Sequence, residues 1–133
     1  EKYILKIQIE SRIMSELALN HIVPVAIAYQ NQLIKNVKGL KEIGLCKNAS
    51  ESQINLIEFI SKHINVIEKS VNQMVDMRKK VNQIEDASKK AKAYCDDILP
   101  FFEAIRYSAD KLELVIDNKT WPLPKYREML FMN

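Results

Sequence analysis

Gly39 and Gly44 are the only glycines among 133 residues. A chain this poor in glycine lacks the positive-φ positions that phosphate-cradling loops, tight hairpins and dinucleotide fingerprints require. Three long stretches with apolar residues at helical spacing remain. They predict an all-α fold: a bundle of three long antiparallel helices, the first and third kinked at proline, plus a short C-terminal helix. The length suits one domain over 1–133, and 47% apolar with 28% charged residues is ordinary for a globular chain. A net charge of +3 is too mild to make nucleic acid or an anionic membrane an obligatory partner.

The first segment spans about 3–43, with Ile9, Ile13, Leu17, His21, Pro24 or Val25, Ala28, Leu33, Val37 and Leu40 as its expected core stripe. Leu5 to Glu10 also alternates like a strand, which leaves the first ten residues ambiguous between helix and strand. Pro24 removes a backbone donor and crowds the preceding turn, so a kink or break is expected near Asn20 to Val23. No charge falls between Glu16 and Lys35, yet Asn20, His21, Pro24, Gln30, Asn31 and Gln32 rule out a transmembrane helix there. A central helix, or one facing a second domain, fits this stretch better. Gly44 suits a left-handed helix stop, with Leu45 folding back on Leu40.

The second segment opens with Ser50-Glu51-Ser52-Gln53, the pattern of a capping box. Ile57, Ile60, Ile64, Ile67, Val71 and Met74 then form a coiled-coil-like seam, which Met77, Val81 and Ile84 continue. A turn is expected between Asn82 and Asp86, with Asp86 capping the third helix. The rival is one helix of more than about 60 residues, improbable in a compact domain. The third stripe is Ala87, Ala91, Tyr94, Ile98, Phe101, Ile105, Ala109, Leu112 and Ile116, interrupted in phase by Pro100. The tail holds Trp121-Pro122-Leu123-Pro124 and then Tyr126, Met129, Leu130 and Phe131. Trp121 and Leu123 precede prolines and should be extended. So many large apolar groups must pack on the bundle or on a neighbouring domain.

Side chains able to carry chemistry are few. His21 and His63 are the only histidines, too few for a histidine metal site. His21 reads as a hydrogen-bonded residue beside the proline break, and His63 as a surface residue beside the seam. Cys95, among Tyr94, Asp96 and Asp97, reads as a core filler, and Cys46 as a free thiol in a connection. Glu85-Asp86 and Asp96-Asp97 are adjacent pairs that point to different helix faces and cannot converge on one ion. Arg78, Lys79, Lys80, Lys89, Lys90 and Lys92 gather at one tip, but interleaved acids and the lack of aromatics favour a solvated surface over nucleic-acid binding. No catalytic residue, cofactor-binding residue or metal ligand emerges.

Several words in the chain nonetheless occur in a distinctive order: Asn20-His21-Ile22-Val23-Pro24, Tyr29-Gln30-Asn31, Asn36-Val37-Lys38-Gly39-Leu40, Ile105-Arg106-Tyr107, Asp110-Lys111-Leu112-Glu113 and Trp121 to Glu128. Together they resemble the C-terminal region of the type III glutamine synthetases, the long bacterial form, over nearly the whole chain. The resemblance implies a parent enzyme that joins ammonia to glutamate with ATP and divalent Mg or Mn, in a cytoplasmic ring-shaped oligomer. It also implies that the nucleotide, metal and glutamate ligands lie upstream, so no active-site residue is carried onto this chain. The expectation is a fragment of a longer enzyme serving assembly, with residues 1–20 packing on the catalytic domain. Asn20, His21, Pro24, Tyr29, Gln30, Asn31, Trp121 and Tyr126 are the expected domain or subunit interface. A free-standing helical adaptor for a partner protein is the alternative, and a nucleic-acid-binding hairpin a weaker third.

Overall fold

The computed structural model describes residues 2–45 and 47–116, and every regular element among them is helical. The first rod comprises α1 (Lys2–Leu17), one π-helical turn (Ala18–Ile22) and α2 (Val23–Glu42). A 3-10 turn at Lys47–Ala49 leads into α3 (Glu51–Val81). The third rod comprises α4 (Ala87–Ala93), a second π-helical turn (Tyr94–Ile98) and α5 (Leu99–Val115). The ambiguous stretch is therefore helix from Lys2 onward, and the rival single helix through residue 87 does not form. The short C-terminal helix expected after Pro124 lies outside the described residues, as does Cys46.

α3 is the central rod. Ile60, Ile67 and Met74 are wholly buried, with Ile64, Val71 and Val81 beside them, on the seam read from the sequence. α5 contributes Ile98, Phe102, Ile105, Leu112 and Ile116 to the same core. Polar contacts fix the relative positions of the rods. Gln8 Nε2 donates to Tyr94 Oη at 2.9 Å and to Asn82 Oδ1 at 3.1 Å, while the Tyr94 hydroxyl donates to Asn82. Arg78 Nη1 donates to Ser11 Oγ at 3.2 Å. Further along, Gln30 Nε2 donates to the Ile57 carbonyl at 2.9 Å and to Ser61 Oγ at 2.7 Å, and Asn36 donates to Gln53 at 2.6 Å. As the first rod's numbers rise, those of its partners on α3 fall.

Both prolines are met in one way. Proline at position i leaves the carbonyl of i−4 without its donor and crowds it. Here each proline is the second residue of a helix that follows a π-helical turn. The Val23 amide donates to the Ala18 carbonyl, and the Leu99 amide to the Tyr94 carbonyl, each five residues back. The wider turn absorbs one extra residue just before Pro24 and Pro100. His21 consequently sits exposed in the first π-turn.

Helix ends follow local chemistry. The first rod stops in a Schellman motif: Leu45 N donates to Leu40 O at 3.2 Å and Gly44 N to Lys41 O at 3.1 Å, with Gly44 at φ +81°. Asp86 caps α4 by accepting from Ser88 N at 2.9 Å and Lys89 N at 3.4 Å. The capping box at Ser50 does not form. Ser50 is the N-cap residue, but its ψ of 2° follows the 3-10 turn and its side chain makes no capping bond. Gln53 instead accepts from Asn36.

Two further assignments from sequence are overturned here. His63 is not a surface residue: it is 3% exposed, with Nδ1 3.0 Å from Ser108 Oγ and its ring 4.5 Å from that of Phe59. The α3 turn carrying Ile60 and Ile64 faces α5, and residue 63 shares that face. Cys95 is not a core filler but an exposed free thiol, because the π-turn sets Tyr94 and Ile98 inward and residue 95 outward.

Gly44→Ala should lower stability by about 1–2 kcal/mol, the cost of a left-handed L-residue. Gly39→Ala, inside α2, should raise it by roughly 0.5–1 kcal/mol. An added Cβ meets nothing within 4 Å at either position, so urea unfolding of the two variants reads the backbone alone. Burial, then the charges of Lys62 and Lys111, push the His63 pKa below its ordinary 6.5. The neutral ring is therefore the form that folds. Its contribution is complete above about pH 6.5 and is lost as pH falls through that value towards the depressed folded one. His63→Gln should flatten this limb, which melting temperatures at about pH 7.5 and 5.5 would show.

Candidate functional site

The first rod carries apolar side chains on two sides. Its inner side is Ile4, Ile7, Ser11, Ala18, Ile22, Val23 and Ala26, all buried. This corrects the expected core stripe: Ile9, Ile13, His21, Pro24 and Ala28 face outward instead. Tyr3, Leu5, Ile9 and Ile13 are 47%, 57%, 49% and 53% exposed. Leu5, Ile9 and Ile13 are spaced by four, so they stack along one face of α1. Steps of three and four carry that ridge onward through Glu16, Asn20, Pro24, Ile27 and Asn31, each exposed.

The structure thus brings Asn20, Pro24 and Asn31 of the expected interface onto one outward ridge, with His21 exposed beside it. It separates Tyr29 and Gln30 from them. Tyr29 is half-buried against the core, and Gln30 is held by α3 through Ile57 and Ser61. Trp121 and Tyr126 lie outside the described residues. Leu5, Ile9 and Ile13 are the ridge members that periodicity did not assign outward. The available signal was a helix with two competing apolar faces, one of them holding Ser11.

Burying an apolar side chain of this size stabilises by about 1.5–3 kcal/mol. Covering Leu5, Ile9 and Ile13 together therefore supplies several kcal/mol before ordering costs. The electrostatics are weak: Lys6 and Glu10 form a 4.0 Å ion pair with both side chains well exposed. The Tyr3 hydroxyl titrates above its ordinary 10.0, chiefly through a hydrogen bond with Cys95. This is a surface suited to contact rather than to bond making.

Other candidates do not converge. Among the described residues, no three His, Cys, Asp or Glu side chains are placed to hold a metal ion. Asp86 is occupied as a cap, and Asp96 and Asp97 are exposed. Of the basic tip, Arg78 is tied to Ser11, while Lys79, Lys80, Lys89 and Lys92 are solvated. No helix among the described residues is long and apolar enough to cross a membrane.

Comparison with known proteins adds an independent observation. Residues 1–41, nearly the whole first rod, match the family model of the glutamine synthetase C-terminal domain. The chain is 45% identical over 134 aligned residues to a glutamine synthetase of Bacteroides fragilis (strain YCH46), an alignment covering 98% of this chain. It is 26% identical over 135 to the type-3 glutamine synthetase of Dictyostelium discoideum, covering 99% of this chain. The chain spans 18% of the length of each of these relatives.

Proposed function

Because the chain belongs to the glutamine synthetase C-terminal domains, we propose that it is the helical assembly element of a glutamate–ammonia ligase. In this reading it is a single domain over 1–133. The parent enzyme makes glutamine from glutamate, ammonia and ATP in the cytoplasm, with Mg or Mn held by residues upstream. The domain itself makes no bonds. It packs on the catalytic part of its own chain and shapes contacts with neighbouring subunits.

The observation that carries this reading is the outward ridge Leu5–Ile9–Ile13 on the helix that the family model covers. A helix apolar on both sides is suited to lie between two bodies. One is this domain's core, and the other is the catalytic domain, which residues 1–20 would adjoin. Asn20, His21, Pro24 and Asn31 extend that interface with neutral groups that cost little to desolvate compared with charges. Trp121 and Tyr126 are assigned to the same assembly role. We read the rods as an antiparallel bundle, bent at Pro24 and Pro100. The falling order of polar partners along α3 supports this.

Ile9→Lys with Ile13→Lys in the full-length enzyme should reduce its oligomeric mass or lower its melting temperature by several degrees, while helicity is kept. Trp121→Ala with Tyr126→Ala should act in the same direction. Light scattering and thermal unfolding measure both. Unchanged mass and melting in both double variants would overturn the assembly role.

A further inference from the structure

The third rod is tied to α3 by polar contacts at two levels. At its start the Tyr94 hydroxyl donates to Asn82, and Gln8 of the first rod donates to both. Further on, about 21 Å along the helix at ~1.5 Å per residue, Ser108 Oγ lies 3.0 Å from His63 Nδ1. The two ties differ in chemistry. Gln8 and Asn82 contribute carboxamides, which neither gain nor lose a proton near neutral pH. His63 contributes an imidazole, whose charge ordinarily changes between about pH 5 and 8.

That imidazole sits where an added charge is costly. His63 and Ser108 are both buried. Phe59 stands edge-on to the ring at 4.5 Å, and Tyr107 is tilted against it at 6.1 Å. The charges acting on it are Lys62, adjacent on α3, and Lys111 on α5, whose ammonium lies 5.3 Å from the centre of the Tyr107 ring. Both are positive. Burial weighs most and, with these two charges, lowers the pKa, so the aromatic neighbours do not compensate an imidazolium. Protonation also turns both ring nitrogens into donors, so Ser108 can then only accept.

We propose that His63 and Ser108 form a proton-operated latch: a proton added to His63 releases the C-terminal half of α5 from α3, while the tie at Tyr94 keeps the start of the rod in place. Once α5 swings away, the ring meets water and recovers its ordinary pKa of 6.5. Acid therefore favours opening. Between about pH 7.5 and 5.5 the opening constant rises by up to about tenfold, the limit set by one group that titrates at 6.5 only when open. Leu112 and Ile116 are the core residues on the moving part, so the open form is a rare excursion. The acid loss of stability is thus concentrated at one end of α5 and precedes loss of the domain. Tyr107 and Leu114, both exposed, belong to the outer face whose position becomes pH-dependent. None of these groups lies on the α1 ridge, so the latch stands or falls apart from the assembly role.

Hydrogen exchange of the full-length enzyme, read by peptide and corrected for intrinsic rate, tests this. Protection of amides 109–115 should fall severalfold, at most about tenfold, from about pH 7.5 to 5.5, while amides 99–104 keep theirs. An equal fall in both stretches, as uniform destabilisation would give, overturns the proposal, and so does no fall. His63→Gln should abolish the acid-dependent change, and its persistence in that variant would overturn the latch. Ser108→Ala supplies a second variant in case His63→Gln does not assemble. It cuts the bond from the other side by removing one oxygen, and should lower protection of amides 109–115 already at about pH 7.5. Unchanged protection there would equally overturn the proposal.

Discussion

The buried seam of α3 is the contact on which the other elements depend. Ile60, Ile67 and Met74 are fully withdrawn from water, and α2, α5 and both π-helical turns pack on the same rod. At roughly 25 cal/mol per Å² of apolar area, this seam is the main term holding helices that few turns connect. The polar bonds between rods have a different task. Gln8, Asn82 and Tyr94 tie three separate segments at one level, and Gln30 ties α2 to α3 at another. A sliding apolar seam has many near-equal registers, and such bonds choose one.

Much of this was legible in the residues. The seam of α3 and most of the α5 stripe alternate steps of three and four without competition, so periodicity alone identifies their inner face. Gly44 followed by Leu45 announces a left-handed stop, and Asp86 announces a cap, because each involves local backbone chemistry that neighbours rarely override. The first rod was not legible in the same way. Ile9 and Ile13 make a better stripe than Ile4, Ile7 and Ser11, yet the poorer stripe is inside. Periodicity reports that a face is apolar, and it cannot say which of two apolar faces meets its own core. His63 and Cys95 failed for a related reason. Their placement depends on the rotation of a neighbouring helix, or on a π-turn, which single-chain patterns do not display.

The same ambiguity is what makes the proposed interface intelligible. A helix that must satisfy two apolar neighbours shows two stripes, and a reader of the isolated sequence sees the stronger. The chain spans 18% of the length of the relatives it matches, and under the proposed assembly role the stronger stripe facing out is physically reasonable. Among the proposed interface residues, Asn20, Pro24 and Asn31 were found from words of sequence, and the ridge that joins them was found from burial.

The π-turns also govern how the helices are phased. Along the first rod the inward positions step from Ala18 to Ile22 to Ala26, two intervals of four where three and four otherwise alternate. Ala18–Ile22 holds one residue more than an ordinary turn, and so acts as a phase corrector for the rod beyond it. Deleting a single residue there would return the backbone to regular α geometry with α2 close to its present phase, whereas the same deletion inside α1 or α2 would swing everything beyond it by about 100°. A one-residue deletion at Ala18–Ile22 would therefore leave Val37 on the inner side, and its cost would be local: the ring of Pro24 would again crowd the carbonyl four residues before it.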